Sequence, residues 1–178
     1  VQINRYPEFI EAWAIVKLAA ARANTDAGAM KTETLYAIEK AAIAVRKGDY
    51  NNQFNVDWYQ GGAGTSTNMN ANEVMANVAL ELTGHKKGEY GIVEPHDHLN
   101  MSQSTNDSYP TAIKVALILR NGKLVSELEN LAAAFRDKGD AFIDILKMGR
   151  TEMQDAVPMT VGQEFHAFAA SIETEIAG

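Results

Sequence analysis

Cysteine is absent from this 178-residue chain, and proline occurs only four times. Without a thiol, the sequence offers no disulfide, no thiolate nucleophile and no cysteine-ligated zinc. Basic residues are outnumbered by acidic ones, 16 to 23, and the formal net charge is −7. This balance argues against nucleic acid or an anionic membrane surface as the main partner.

Long apolar runs are also missing. The most apolar early stretch, Ala12–Ala23, is interrupted by Lys17 and Arg22, and it falls short of the roughly 20 apolar residues that cross a bilayer. The first residues lack the pattern of a secretory signal peptide. We therefore expect no membrane partner, and the lack of cysteine fits a reducing, cytoplasmic location.

Apolar residues recur at helical spacing along most of the chain, and strand signals are nearly absent. The pattern predicts an all-α fold. Five helices are expected. The first three run from Pro7 to near Asn24–Gly28, from Thr32 to Gly48 and from about Met69 to Leu82. The fourth has Pro110 in its first turn and ends at about Lys138, and the fifth begins near Gly162 and is cut at Gly178. Loops are expected at 49–64 and 85–106, and a short apolar piece, Phe142–Met148, leads to a loop containing Pro158.

The fourth predicted helix is long, with roughly thirty residues, and a helix of this length needs long neighbours to cover its apolar face. The chain supplies too few of them. We therefore expect this helix to bundle with other subunits or with sequence outside this chain.

Hydroxyl-bearing residues cluster in three segments, each expected to precede a helix: Gly61–Thr67, Ser102–Asp107 and Gly149–Glu152. Such residues commonly cap the free backbone N–H groups at a helix start. Helix N-termini also carry partial positive charge and bind carboxylate or phosphate. If the three ends converge, they form a site for a small anion built from neutral hydrogen-bond donors.

Other phosphate and catalytic motifs do not match. Gly61–Ser66 lacks the lysine of a Walker loop, and Gly62–Gly64 lacks the third glycine of a dinucleotide fingerprint. No serine lies in a Gly-x-Ser-x-Gly elbow. The run His96–His98 suggests a metal pair, but the loop supplies no clear third ligand, so no metal site is predicted.

The three hydroxyl segments, taken in order, resemble the signatures of the aspartase/fumarase superfamily. The resemblance covers essentially all of the chain. It rests on Gln60–Val74, on Gln103–Asp107 with Pro110-Thr111, and on Lys147–Thr151 with Gln154–Thr160. Within the superfamily, Gly-Gly-Ala-Gly-Thr-Ser at Gly61–Ser66 favours the aspartate-deaminating branch over the fumarases.

The resemblance implies the L-aspartase-like all-α fold. Residues 1–106 would form an N-terminal lyase domain, incomplete at its start, and residues 107–178 the first part of a truncated central helical bundle. Superfamily members are much longer, and the Gly-Ser-Ser-x-Met-Pro-x-Lys-x-Asn loop that carries their serine base does not occur here. We therefore expect a fragment that is inactive alone. Family enzymes are homotetramers whose active sites take loops from three subunits.

The resemblance also implies a carbon–nitrogen lyase that reversibly deaminates L-aspartate to fumarate and ammonia. A general base removes the proton beside the β-carboxylate, and an aci-carboxylate intermediate must be stabilised before ammonia leaves. No cofactor is implied, while activation by a divalent metal is left open. Substrate-binding roles carry over by position to Thr65, Ser104, Thr105, Asn106 and Thr151, and catalytic roles to Ser104, Thr105 and Thr151.

In this transfer, the hydroxyls of Thr65, Ser104 and Thr105 would hold the β-carboxylate. Asn106 would contact the amino group, and Thr151 would lie near the amino group or the α-carboxylate.

The roles of Glu152 and of residues 95–100 are left open by the sequence. Glu152 is also assigned to substrate binding, but it stands where many superfamily members have histidine, and its role is open. Residues 95–100 resemble the loop that forms a secondary anion site in fumarases, and a capped structural loop is the alternative.

Two further readings of the whole sequence remain. One is fumarate hydratase, which shares the dicarboxylate site and adds water rather than ammonia. The other is an inactive helical assembly or anion-binding fragment.

Overall fold

The computed structural model describes residues 1–177, and these residues are mostly helical. The all-α prediction is therefore confirmed, with one small sheet in addition. The elements are helices α1 (Pro7–Asp26), α2 (Thr32–Arg46), α3 (Thr65–Leu82), α4 (Thr105–Ala141) and α5 (Val161–Ala177), and strands β1 (Leu146–Thr151) and β2 (Gln154–Thr160). Gly178, where the last helix was expected to be cut, lies outside the described residues.

Contacts along the backbone divide the chain into two compact units, Val1–Leu119 and the part that begins at Arg120. Helix α4 starts in the first unit and ends in the second. In the described part of the chain, no helix combines the length and hydrophobicity that crossing a membrane requires.

The core of the first unit lies between α1, α2, α3 and the first turns of α4. Phe9 and Trp13 on α1 are buried, and both contact Tyr109 of α4, with ring centroids 6.0 and 6.1 Å apart. Burial of large aromatic rings dominates the energy of such cores. This aromatic cluster therefore fixes the beginning of α4 against α1.

Two helices begin earlier than the apolar pattern indicated. α3 starts at Thr65 rather than near Met69, and α4 starts at Thr105, so Pro110 lies inside the helix rather than in its first turn. The early turns consist of polar residues that carry no apolar periodicity. Proline removes one helical N–H, and α4 nevertheless continues through Pro110.

The second unit contains an antiparallel hairpin that the sequence analysis missed. β1 and β2 replace the predicted apolar piece and loop, and Pro158 pairs with Met148 inside the ladder. A two-stranded sheet leaves the outer edge of each strand free, so a proline without an N–H is tolerated there. The strands are mostly exposed, which explains why they lack the alternating pattern of a half-buried strand.

Helix α5 begins with a capping box. The Gln163 N–H donates to Thr160 Oγ1 and the Thr160 N–H donates to Gln163 Oε1, both at 3.0 Å. Such reciprocal bonds satisfy two backbone donors at a helix start. Gly162 allows a close approach to α4, because a Cβ there would collide with the backbone of Gly139 and Ile143.

We predict that Gly64→Ala destabilises the fold by about 2–4 kcal/mol, since two costs add at this position. Gly64 has a φ of 93°, and an added Cβ would lie 2.5 Å from Cδ2 of the Tyr109 ring. Gly88→Ala is the matched control, because its φ is 84° and its surroundings are open. Urea unfolding measures both variants, and equal losses would show that contact with Tyr109 does not matter.

Candidate active site

Two of the three hydroxyl segments lie at neighbouring helix starts in the first unit. Thr65 is the first residue of α3 and Thr105 is the first residue of α4. Asn68, in the first turn of α3, donates from Nδ2 to Thr105 Oγ1 at 3.0 Å. The predicted convergence is therefore present for these two segments, and two positive helix ends lie side by side.

Ser104 caps α4. The Asn106 N–H donates to Ser104 Oγ at 3.2 Å, and the Ser104 N–H donates to the Asp107 carboxylate at 3.1 and 3.2 Å. This is the capping-box pattern of a serine and an acidic residue three positions later. Ser104 is exposed, and because its oxygen accepts, its hydroxyl hydrogen is available to a ligand.

The first segment is arranged differently. Thr65 Oγ1 donates to the Gly62 carbonyl at 2.7 Å, so the hydrogen of this exposed hydroxyl is engaged. Thr67 is fully buried, and its Oγ1 accepts from Gln60 Nε2 at 2.6 Å. To donate to an anion, Thr65 would therefore have to give up its bond to Gly62.

The third segment does not lead a helix, and that prediction is wrong. Thr151 is the last residue of β1, and α5 begins only at Val161. Glu152 and Met153 form the hairpin turn with φ values of 46° and 63°. Two positive φ values suit a type I′ turn, which normally uses Asn-Gly, so the sequence carried no turn signal here.

Thr151 and Glu152 belong to the second unit, and both are exposed. Neighbouring Arg150 and Asp155 form an ion pair across the hairpin. The hairpin therefore presents a threonine and a carboxylate at its tip, on a turn held by pairing between its strands.

A buried cation lies beneath the two helix starts of the first unit. Lys17 of α1 is fully buried, and its Nζ donates to Asn68 Oδ1 at 2.6 Å, Gln103 Oε1 at 2.9 Å and Asn100 Oδ1 at 3.3 Å. Its Nζ also lies 5.4 Å from the Trp13 ring centroid. Burial lowers the pKa of Lys17 to about 7, while the nearby Asp107 carboxylate acts in the opposite direction.

Asparagine side chains extend this network between the elements. Asn100 Oδ1 accepts from Asn68 Nδ2 at 3.0 Å and from Asn72 Nδ2 at 3.2 Å. Ser108 Oγ donates to the Ser104 carbonyl at 2.8 Å, inside the first turn of α4. The network therefore joins α1, α3 and the loop before α4 in one buried polar cluster.

In the sequence, Lys17 stands out only as an interruption of an apolar run, and Asn68 has no predicted role. A usable signal was present, however. Lys17 follows Trp13 by four residues and so shares its face of α1. A cation on a buried helical face needs acceptors from another element, but which acceptors meet it depends on how the helices pack.

The loop before α4 holds a second group of ionisable side chains. Carboxylate oxygens of Glu94 and Asp97 and a ring nitrogen of His96 lie within 4.8 Å of one another. The loop therefore places Glu94 beside His96 and Asp97, a neighbour that the sequence did not indicate. His98 does not join the group, since its Nδ1 accepts the Glu94 N–H at 2.9 Å.

This loop and the start of α4 line an open cleft of about 640 Å³. His96, Asp97, Gln103, Ser104 and Asp107 contribute to its wall. The cleft therefore brings the exposed face of the α4 start next to the loop that resembles a secondary anion site.

Comparison with known proteins identifies the class to which this arrangement belongs. A sequence model of a lyase family matches residues 2–177. The chain belongs to this lyase family, and the resemblance found in its motifs is confirmed.

Among its relatives are enzymes named aspartate ammonia-lyase. Those of Pseudomonas aeruginosa and Escherichia coli (strain K12) are 52% and 49% identical to it, over 99% and 98% of the chain. The chain spans 37% of the length of each of these two relatives.

Solved structures give the same relationship. A fumarate lyase:delta crystallin from Brucella melitensis is 48% identical with a TM-score of 0.88, over 99% of this chain and 40% of that one. A class II fumarase from Schistosoma mansoni is 34% identical with a TM-score of 0.79, over 96% of this chain and 36% of that one.

We predict that Lys17→Met changes how stability depends on pH. The folded pKa of Lys17 is about 7 against an ordinary 10.5, so between these values the unfolded chain binds more protons at this position. The free energy of unfolding of the parent should therefore rise relative to that of the variant as pH increases from 7 toward 10.5. Urea unfolding across this window tests it, and a pH-independent difference contradicts it.

Proposed function

We propose that the full-length protein containing this chain is an aspartate ammonia-lyase, which converts L-aspartate reversibly to fumarate and ammonia. The identity of about half of all residues to enzymes of that name, along nearly the entire chain, carries the proposal. The pairing of the two signature segments at adjacent helix starts supports it. A helix start is a favourable place for a carboxylate.

In the proposed reaction, a base removes a proton from the carbon beside the β-carboxylate. That carboxylate becomes an aci-carboxylate dianion before the bond to nitrogen breaks and ammonia leaves. Hydrogen-bond donors fixed where the charge grows stabilise such a state, each by about 3–4 kcal/mol in measured cases. Neutral hydroxyls suit this role because they need no counter-charge of their own.

Ser104 and Thr105 are suited to be these donors. Each hydroxyl oxygen accepts a hydrogen bond from the protein, Ser104 from the Asn106 N–H and Thr105 from Asn68. Their hydrogens are therefore left for the β-carboxylate. We assign Thr65 to the same group, on condition that it releases Gly62, and we assign exposed Asn106 to the substrate amino group.

We also assign Thr151 and Glu152 of the hairpin to substrate binding. In the reaction as proposed, Thr151 contacts the amino group or the α-carboxylate. Glu152 can pair with the substrate ammonium but repels both carboxylates, so its net contribution depends on which group lies nearer.

We also propose a homotetramer whose active sites combine loops from three subunits. Apolar side chains on α4 support this, because Leu117, Ile118 and Leu124 are 65%, 74% and 57% exposed. Exposed apolar surface of this kind marks contact surfaces. The proposed general base lies on a serine loop outside this chain.

We also propose a cytoplasmic location, which the lack of cysteine supports.

The proposed function predicts ultraviolet absorbance from fumarate when the full-length protein receives L-aspartate. The 178-residue chain alone is expected to show no turnover, because it contains no serine base loop. Absence of fumarate formation by the full-length protein refutes the proposed function. Activity of the isolated chain refutes the placement of the base outside it.

Fumarate hydratase is the second candidate, favoured by the structural similarity to the class II fumarase of Schistosoma mansoni. The same absorbance assay with L-malate decides between the two. Turnover of malate without turnover of aspartate would assign the protein to the hydratases.

We further predict that Ser104→Ala in the full-length enzyme lowers kcat by about 10²-fold, as loss of a donor to a developing oxyanion does. Loss of a cap alone costs about 1 kcal/mol of stability. Thr160→Ala is the matched control, because it removes the equivalent capping hydroxyl of α5. Steady-state kinetics and melting curves separate the effects. Equal kcat losses in the two variants would show that Ser104 acts only as a helix cap and not as a donor to the substrate.

A further inference from the structure

Lys17 is the one ionisable group of the buried polar cluster, and the reaction proposed above gives it no task. We propose that Lys17 is a positioning residue: it fixes the orientation of the Asn68 amide and thereby leaves the Thr105 hydroxyl free to donate to a substrate carboxylate. The inference rests on the proposed function for the identity of that carboxylate. Lys17 lies on α1, outside both signature segments.

Protonated Lys17 can only donate hydrogen bonds. An ammonium group has three N–H donors and no acceptor. Around Lys17 Nζ, the three polar partners are all amide oxygens, those of Asn68, Gln103 and Asn100, at 2.6, 2.9 and 3.3 Å. The lysine therefore selects which end of each side-chain amide faces it.

The contact with Lys17 orients the side-chain amide of Asn68, which is buried. An asparagine amide has an acceptor oxygen and a donor nitrogen that exchange places when the side chain flips. With Oδ1 held by Lys17, Nδ2 faces the start of α4 and donates to Thr105 Oγ1 at 3.0 Å. The same nitrogen donates to Asn100 Oδ1 at 3.0 Å.

The orientation of Asn68 in turn sets the direction of the Thr105 hydroxyl. Because its oxygen accepts from Asn68, its hydrogen points to another acceptor. If the amide were flipped, Asn68 Oδ1 would take that hydrogen, and Thr105 could no longer donate to an anion. Lys17, whose bond to Asn68 Oδ1 is shorter than the 3.4 Å bond from Ser108 Oγ to the same oxygen, thus favours the orientation in which this hydroxyl donates toward a carboxylate.

Gln103 extends the same control to the loop before Ser104. Its Oε1 accepts from Lys17, so its Nε2 donates to the carbonyls of Leu99 and Met101 at 2.9 and 3.3 Å. The loop is therefore held in place from the buried side. Lys17 contacts both signature segments, through Asn68 and Gln103, and so helps to position both. Misplacing a catalytic group by about 1 Å can cost about 10²-fold in rate.

Asn68→Asp in the full-length enzyme is the sharpest test. The carboxylate retains the volume and the contact with Lys17 but cannot donate, so Thr105 must turn its hydrogen toward position 68. We expect kcat/KM for L-aspartate to fall by about 10- to 100-fold in a variant that still folds. Its melting temperature should fall as well, because the bond to Asn100 Oδ1 is lost. A folded variant that keeps kcat/KM within about threefold of the parent overturns the inference.

A double-mutant cycle identifies the route of the effect. Lys17→Met and Thr105→Val should each lower kcat/KM, while Lys17→Met should cost much less in a Thr105→Val background, because the hydroxyl it orients is already gone. Equal costs in both backgrounds overturn the inference. If Lys17→Met does not fold, Asn68→Asp takes its place in the cycle.

Met75→Ala provides the stability control, since Met75 is fully buried on α3 and outside the polar cluster. It should lower the melting temperature while kcat/KM changes little. A kcat/KM loss as large as that of Lys17→Met, at equal loss of melting temperature, would assign Lys17 a structural role only.

Failure of the proposed function gives a different result. In that case the parent does not deaminate L-aspartate, and binding of fumarate measured by calorimetry becomes the readout. Weaker fumarate binding by Asn68→Asp would then support the orientation of Thr105 without the lyase reaction. Equal binding by parent and variant, or no binding by either, would overturn the inference as well.

Discussion

The hydrogen bonds from one buried ammonium group to three side-chain amides hold together the part of the molecule that we propose to be functional. Lys17 contacts Asn68 on α3 and both Asn100 and Gln103 in the loop before α4. A buried charge is costly unless it is fully hydrogen-bonded. The helix packing around it is therefore constrained, because each neighbouring element must supply its oxygen.

The same constraint makes the site directional. Helix starts attract anions through partial charges and free N–H groups, which alone do not distinguish one anion from another. Hydroxyls with a fixed donor direction add selectivity. At Ser104 and Thr105 the oxygen is occupied by a protein donor, whereas at Thr65 the hydrogen is engaged with Gly62. The two segments are thus prepared to different degrees for binding a carboxylate.

Capping and ligand binding are compatible uses of one residue here. Ser104 caps α4 through its oxygen, and its hydrogen remains available in the cleft beside the helix start. The capping interaction fixes the rotamer, which is what a preorganised donor requires. A clear structural role for this serine is thus no argument against a catalytic one.

The turn at Glu152 and Met153 shows where local patterns fail. Its positive φ values are adopted without the Asn-Gly pair that normally signals them, and the exposed strands beside it show no alternation. The hairpin is formed by pairing between its two strands. The residues of neither strand alone predict this pairing. The assignment of Gly149–Glu152 to a helix start failed for this reason.

The sequence by itself determined the helical class, the approximate extent of the helices and the two hydroxyl segments that begin α3 and α4. These features are readable because helical periodicity and capping residues act over a few neighbouring positions. Only the tertiary structure decided that Lys17 meets Asn68, Asn100 and Gln103, and that Glu94 rather than His98 joins His96 and Asp97. A hydrogen bond between residues 51 positions apart, as between Lys17 and Asn68, depends on how the helices pack. Local sequence can show that a buried cation needs acceptors, whereas helix packing selects them.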